Sequence, residues 1–324
     1  MTVKKTSFFL SLLPVLAAFS ALVISPGQAA ERARGGLTVC AEIIVPALFP
    51  FLIVSGLLSE LGVPRLLARA AEPLMGLLFA APGAAAAPLL LGLTGGYPMG
   101  AVAAAECVRR GELSRAEAEH ILPFCCNTGP AFIIGAAGAG AFGSPRLGAL
   151  LYLSHVLAAL ATGALGSIGR TRTRRPAAPP CIEVRSLPRA LPICVGRAVN
   201  GMLGICGFVV CFSVVTGFLE SAGVFSAASS ALSGLFAVQP DFVRTLLTGF
   251  LELGGGIAAL RSLSPSPVNL ALASFLLGFG GLSVHCQTLA AVADAQIATG
   301  RHFFGRLLHG LLSALFTLFL AAAN

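Results

Sequence analysis

The chain has 324 residues, of which 56% are hydrophobic and only 10% charged, with a mean hydropathy of +0.90. That balance excludes a soluble globular domain and predicts an all-α polytopic membrane protein. The formal net charge of +8 is then a matter of which loops face the cytoplasm, and not the footprint of a nucleic-acid partner.

A membrane crossing needs about 20 apolar residues. In chain order the crossings read as Phe8–Ile24, Leu37–Leu61, Ile121–Phe142, Leu147–Ile168, Ile193–Leu219, Val268–Ala291 and Phe303–Ala321. The first follows Lys4 and Lys5, and together with Ser25–Ala30 it also reads as a signal peptide. Two further apolar regions are interrupted: Ala84–Cys107 by Thr94-Gly-Gly-Tyr-Pro-Met-Gly100, and Phe242–Leu263 by Leu253-Gly-Gly-Gly256. Each is too short on either side of its break to cross alone, so each is expected to be a re-entrant helical hairpin. Nine cysteines, scattered and without CxxC pairs, give no disulfide framework and no zinc site.

Charge supports this layout. With the N-terminus cytoplasmic, all but Arg32, Arg34, Arg146, Arg244 and Arg261 of the 21 Lys and Arg residues fall on the cytoplasmic side. The Arg- and Pro-rich stretch 169–192 reads as a cytoplasmic linker. It separates a first unit, 37–168, from a second, 193–324, with residues 1–36 forming an N-terminal transmembrane helix and connector.

The two units resemble each other. Val54-Ser-Gly-Leu-Leu-Ser-Glu-Leu-Gly-Val63 parallels Val215-Thr-Gly-Phe-Leu-Glu-Ser-Ala-Gly-Val224, Gly76-Leu77 with Pro82 matches Gly234-Leu235 with Pro240, and the breaks Gly95-Gly96 and Gly254-Gly255 follow at nearly equal distance. Three crossings per unit is odd, so the expected fold is two inverted repeats, each with a re-entrant hairpin and a discontinuous transmembrane helix. In that architecture the substrate site lies at the midplane, where the breaks meet. A break frees backbone N–H and C=O groups that hydrocarbon cannot satisfy, so it persists only when buried in protein or lining a polar cavity.

The discontinuous helices are expected at Phe124-Cys-Cys-Asn-Thr-Gly-Pro130 and at Gly278–Gln287. Pro130 removes a donor and Gly129 frees the turn. Half-helix N-termini, which favour anions, are placed near Met99, Ala131, Ile257 and Leu282. The facing C-terminal carbonyls near Leu93, Cys126 and Glu252 would suit a cation. Substrate contact is therefore expected from Thr94, Gly95, Gly96 and Tyr97, from Asn127, Thr128 and Gly129, from Glu252, Gly254 and Gly255, and from Ser283, His285 and Gln287. Glu252 is read as a proton, cation or gate group, with capping of freed N–H groups as the plainer role. His155 and the Cys125-Cys126 pair are read as packing residues, and Gly135, Gly138, Gly140 and Gly143 as sites of close helix contact. No catalytic residue, metal ligand or cofactor is expected.

TGGYPMGA at Thr94–Ala101 and FCCNTGPAFIIG at Phe124–Gly135, supported by PALFPFLIVSGLL at Pro46–Leu58, resemble the YlbJ-like sporulation membrane proteins of the nucleoside-recognition (gate) domain group. The resemblance runs from about Gly35 to the C-terminus. The group is similar in plan to concentrative nucleoside transporters, with two hairpins and two broken helices. It implies a transporter moving dipicolinic acid, a small anion, out of the mother cell across the outer forespore membrane during sporulation. The expected partners are thus a small-molecule anion and the lipid bilayer, with self-association left open. A cation-coupled nucleoside or nucleobase transporter and a non-transporting sporulation membrane scaffold are the alternatives.

Overall fold

The computed structural model describes residues 2–170 and 186–322, and every regular element among them is helical. The centre of the expected basic linker, residues 171–185 with Arg172, Arg174, Arg175 and Arg185, lies outside the described residues, as does Asn324.

Helix α1 (Thr2–Ile24) is followed by α2 (Pro26–Val39), which runs through a π turn at Cys40–Ile44 into α3 (Val45–Glu60). The π turn lies one turn ahead of Pro46 and Pro50, whose rings cannot donate to the helix ladder. Next come α4 (Val63–Phe79), α5 (Ala86–Gly95), α6 (Met99–Arg109), α7 (Arg115–Cys125), an 11-residue π-helix at Ala131–Ala141, and α8 (Pro145–Gly166). The second half holds α9 (Leu187–Ser221), α10 (Val224–Phe236), α11 (Pro240–Leu251), α12 (Leu253–Ala259), α13 (Pro267–Phe279), α14 (Gly281–Val292) and α15 (Gly300–Ala322). After α1 the order of elements runs twice: long helix, short amphipathic helix, folded-back pair, interrupted helix, closing helix. The punctuation recurs too. Both amphipathic helices are entered through a left-handed glycine, Gly62 or Gly223, and left through a left-handed alanine, Ala80 or Ala237.

Among the described residues, four helices are long and apolar enough to cross a membrane: Pro145–Gly166, Leu187–Ser221, Pro267–Val292 taken across its break, and Gly300–Ala322. A fifth arises if Leu66–Phe79 and Gly83–Gly95, bent by 93°, count together. The crossing expected over Leu37–Leu61 is not a single α-helix, because the π turn interrupts it, and the span Ile121–Phe142 is interrupted at the expected break, Cys126–Pro130. Within 121–142 the helix also starts earlier, at Arg115, where Ser114 and Glu117 form a capping box.

The α2–α3 rod and α9 lie antiparallel and are tied at both ends by ion pairs. Arg32 meets Glu220 at 2.9 Å, and Arg197 meets Glu60 at 2.9 Å. Each glutamate also holds an arginine of a folded-back pair: Glu60 holds Arg110, at the end of α6, and Glu220 holds Arg244, in α11. The interior is built from α7, α8, α13 and α15, which approach through bare backbone. A Cβ on Gly138 would meet Gly148, and one on Gly278 would meet Gly310 at 2.6 Å. Of the four glycines expected to make close helix contacts, only Gly138 does so. Gly135 and Gly143 face open space, and Gly140 meets the carbonyl of Gly135 in its own helix and, at ordinary contact distance, the side chain of Arg261.

Candidate functional site

The chain breaks assemble at one place, and glycine is what lets them. Between α5 and α6 the chain turns through Gly96 (φ +83°) and a cis Tyr97–Pro98 bond. A Cβ on Gly96 would lie 2.8 Å from the amide nitrogen of Gly129, so the first pair and the first interrupted helix meet backbone to backbone. Thr128 then donates its hydroxyl to the carbonyl of Leu277 near the end of α13, at 2.8 Å. Gly280 (φ +94°) separates α13 from α14 and leaves room for the Tyr97 hydroxyl, which a Cβ there would approach to 2.9 Å. Gly281 packs on the Gly249 carbonyl in the same way, bringing in the break between α11 and α12.

A cavity of about 140 Å³ opens where they meet. Of the residues expected at the site, Thr94, Gly95, Gly96, Tyr97, Thr128, Gly129, Glu252, Gly254, Ser283 and Gln287 line it. Apolar side chains of the long helices, among them Ile44, Phe51, Ile205 and Val209, complete the wall. An apolar wall carrying a few placed polar groups is the usual makeup of a small-molecule site. Ser283 contributes a buried hydroxyl with no partner among the described residues.

Three expected contacts are not cavity residues. His285 packs against Phe279, Phe303 and His302, with ring centroids 4.7, 5.1 and 5.2 Å away. Asn127 turns inward and donates to the carbonyl of Phe124 at 2.9 Å, because that carbonyl loses its ladder partner at the break. Gly255 lies behind Glu252 and donates its N–H to the carboxylate. The polar end expected near Ile257 is also displaced: α12 begins at Leu253 and Glu252 is its N-cap, accepting from Gly254 at 2.8 Å and from Gly255. Glu252 thus performs the capping role while still lining the cavity.

The carbonyl ends are capped from within the protein as well. Leu93 accepts from the Tyr152 hydroxyl at 3.0 Å, Leu277 from Thr128, and Gly278 from Arg306. Arg306, counted by its place in the sequence among the cytoplasmic charges, is instead fully buried within α15. Its guanidinium donates to the Tyr97 hydroxyl, to the carbonyls of Gly278 and Pro123, and to Nδ1 of His309. His309 passes its other ring N–H to the carbonyl of His155 at 3.1 Å, and His155 Nε2 accepts from the Thr128 amide at 3.2 Å. His155, expected to be a packing residue, therefore supports a cavity residue directly. The readable signal for this layer was the pair Arg306 and His309, spaced i,i+3 inside an apolar run, since ionisable groups at membrane depth mark functional sites.

No family model matches the chain, and no solved structure matches it. The chain is similar to the sporulation integral membrane protein YlbJ of Bacillus subtilis (strain 168), being 32% identical to it over 343 aligned positions. The alignment takes in 98% of this chain and 82% of that protein. Identity of that extent, with the apolar helices already described, makes this chain an integral membrane protein that belongs to the YlbJ family of sporulation membrane proteins.

Proposed function

We propose that the chain is a membrane transporter for a small anionic metabolite, and that the resemblance of its TGGYPMGA and FCCNTGPAFIIG motifs points to dipicolinate, exported from the mother cell. In this reading the two units are inverted repeats, α5–α6 and α11–α12 are re-entrant hairpins, and the interrupted helices carry the other two breaks. The observation that carries it is the cavity of about 140 Å³ lined by residues from all four breaks. At roughly 10–15 Å³ per water-sized group, it has room for a solute of about ten heavy atoms. A membrane scaffold has no use for four breaks at one depth, each of which puts backbone groups at risk.

The carbonyl caps favour an anion over a cation. Of the three carbonyl ends expected to suit a cation, Leu93 accepts from Tyr152 and Glu252 from the Gly256 amide of its own helix, while Thr128 and Arg306 cap the carbonyls of Leu277 and Gly278 at the end of α13. Energy is available without a coupling ion, since a dianion leaving a negative-inside compartment runs downhill by roughly 4.6 kcal/mol per 100 mV. The cation-coupled nucleoside reading rests on Glu252, whose carboxylate lines the cavity but is engaged by two backbone N–H groups.

Purified protein in liposomes separates the two. Initial flux of dipicolinate and of uridine is measured against imposed voltage, first with sodium and pH equal on both sides and then with a sodium or proton gradient imposed. Dipicolinate flux that rises with voltage is expected. Uridine flux appearing only with a sodium or proton gradient would establish the coupled reading in its place.

A further inference from the structure

One buried charge has a role beyond capping a carbonyl. Arg306 is fully buried, and among the described residues no carboxylate forms an ion pair with it. A cation in that position is held by dipoles alone, and its charge is left uncompensated in a poorly polarisable interior. Its bonds are also unusually placed. Tyr97 belongs to the break between α5 and α6, Gly278 adjoins the break between α13 and α14, and Pro123 lies just ahead of the break after α7. One guanidinium therefore touches three of the four breaks that meet at the cavity. Its Nε hydrogen is buried with no partner among the described residues. Tyr97 joins the charge to the cavity: its hydroxyl accepts from Arg306, its ring lies 5.3 Å from the guanidinium carbon, and the residue lines the wall. His309 accepts from it through Nδ1 and so is a neutral acceptor that adds no negative charge.

We propose that Arg306 is the charge-selecting residue of the cavity, acting through Tyr97 to favour a carboxylate-bearing solute over a neutral one of the same shape. It is a positioning residue, because it reaches the solute through the tyrosine hydroxyl. An anion in the cavity is the counter-ion that the protein itself does not supply. The polarised Tyr97 hydroxyl, with the unpartnered hydroxyl of Ser283 in the same wall, supplies the donors that meet it.

The inference rests on the transport reading, and one experiment tells them apart. Liposomes carrying wild type, Arg306→Gln, Arg306→Lys or Tyr97→Phe protein are assayed at zero voltage with dipicolinate and with its neutral diamide, pyridine-2,6-dicarboxamide. Wild type is expected to prefer the dianion, Arg306→Gln to lose that preference by about tenfold or more, and Arg306→Lys, which keeps the charge but not the fork of bonds, to retain most of it. Wild type carrying neither solute removes the transport reading and this inference with it. Wild type carrying the dianion, with an unchanged ratio in folded Arg306→Gln protein, removes this inference alone. If Arg306→Gln does not fold, Tyr97→Phe decides: a fall in the ratio supports the relay, and an unchanged ratio overturns it.

Discussion

Gly92 and Gly100 flank the first chain break, and both press on the carbonyl of Cys125 at the end of α7. Neither has room for a side chain, and what each would strike is backbone, which does not yield as a flexible side chain does. Gly100→Ala is expected to destabilise the protein by about 1–3 kcal/mol, read as a lower melting point in detergent. Gly135→Ala, where a Cβ meets nothing within 4 Å, is the control, expected to be neutral or stabilising by up to about 1 kcal/mol. Equal melting points for the two variants would show that the close approach is not what fixes the break. Residues of this kind were legible as a class and not one by one. A glycine close to a proline, or a run of glycines, announces a break, so Gly96, Gly129 and Gly254 were placed at the cavity from spacing alone. Whether a glycine further along is packed or open depends on the partner helix, which is why Gly138 and Gly135 read alike and are not. Arg306 was passed over for another reason. Averaged hydropathy treats a charge near the start of an apolar run as the loop end of a helix, although its i,i+3 pairing with His309 inside that run was there to be read.

At the scale of the helix, the tied ends of the long pair carry a testable asymmetry. Glu60 has a side chain only 6% exposed and serves two arginines, whereas Arg197 is 59% exposed. Removing Arg197 leaves Glu60 with Arg110; removing Glu60 leaves the partly buried Arg110 with fewer acceptors. Glu60→Gln is therefore expected to cost about 2–4 kcal/mol, and Arg197→Gln less than about 1 kcal/mol. Thermal unfolding followed by size-exclusion chromatography compares them, and a larger loss for Arg197→Gln would refute the assignment. Element types were readable because glycine, proline and apolar runs alternate on a scale close to the length of a crossing. Their starts were less so. The Ser114-Arg-Ala-Glu117 capping box was present to be read, but hydropathy alone moved the start of α7 to Ile121. The π segments at Cys40–Ile44 and Ala131–Ala141 leave no periodic trace, since small apolar residues suit any helical pitch.

For the molecule as a whole, the twofold order of its elements was legible from weak internal matches, and the meeting of the breaks followed from it. What required the fold was the layer behind the cavity, contributed by α15 and α8, which no spacing rule joins to the motifs. The two tyrosines of the cavity region also have an optical consequence. The chain has no tryptophan and only two tyrosines, Tyr97 and Tyr152. One lines the cavity, and the other bonds the last turn of α5 beside it. With no indole to drain excitation energy, ultraviolet emission of the native chain arises wholly at this site. In Tyr152→Phe protein it arises at Tyr97 alone. Iodide, an anion that quenches on contact, is expected to dim that emission along a rising Stern–Volmer line, while a flat line would mean that the cavity admits no anion. The protein thus contains its own fluorophore at the one position where occupancy has to be read, and unlabelled protein can be followed in a bilayer as it fills and empties.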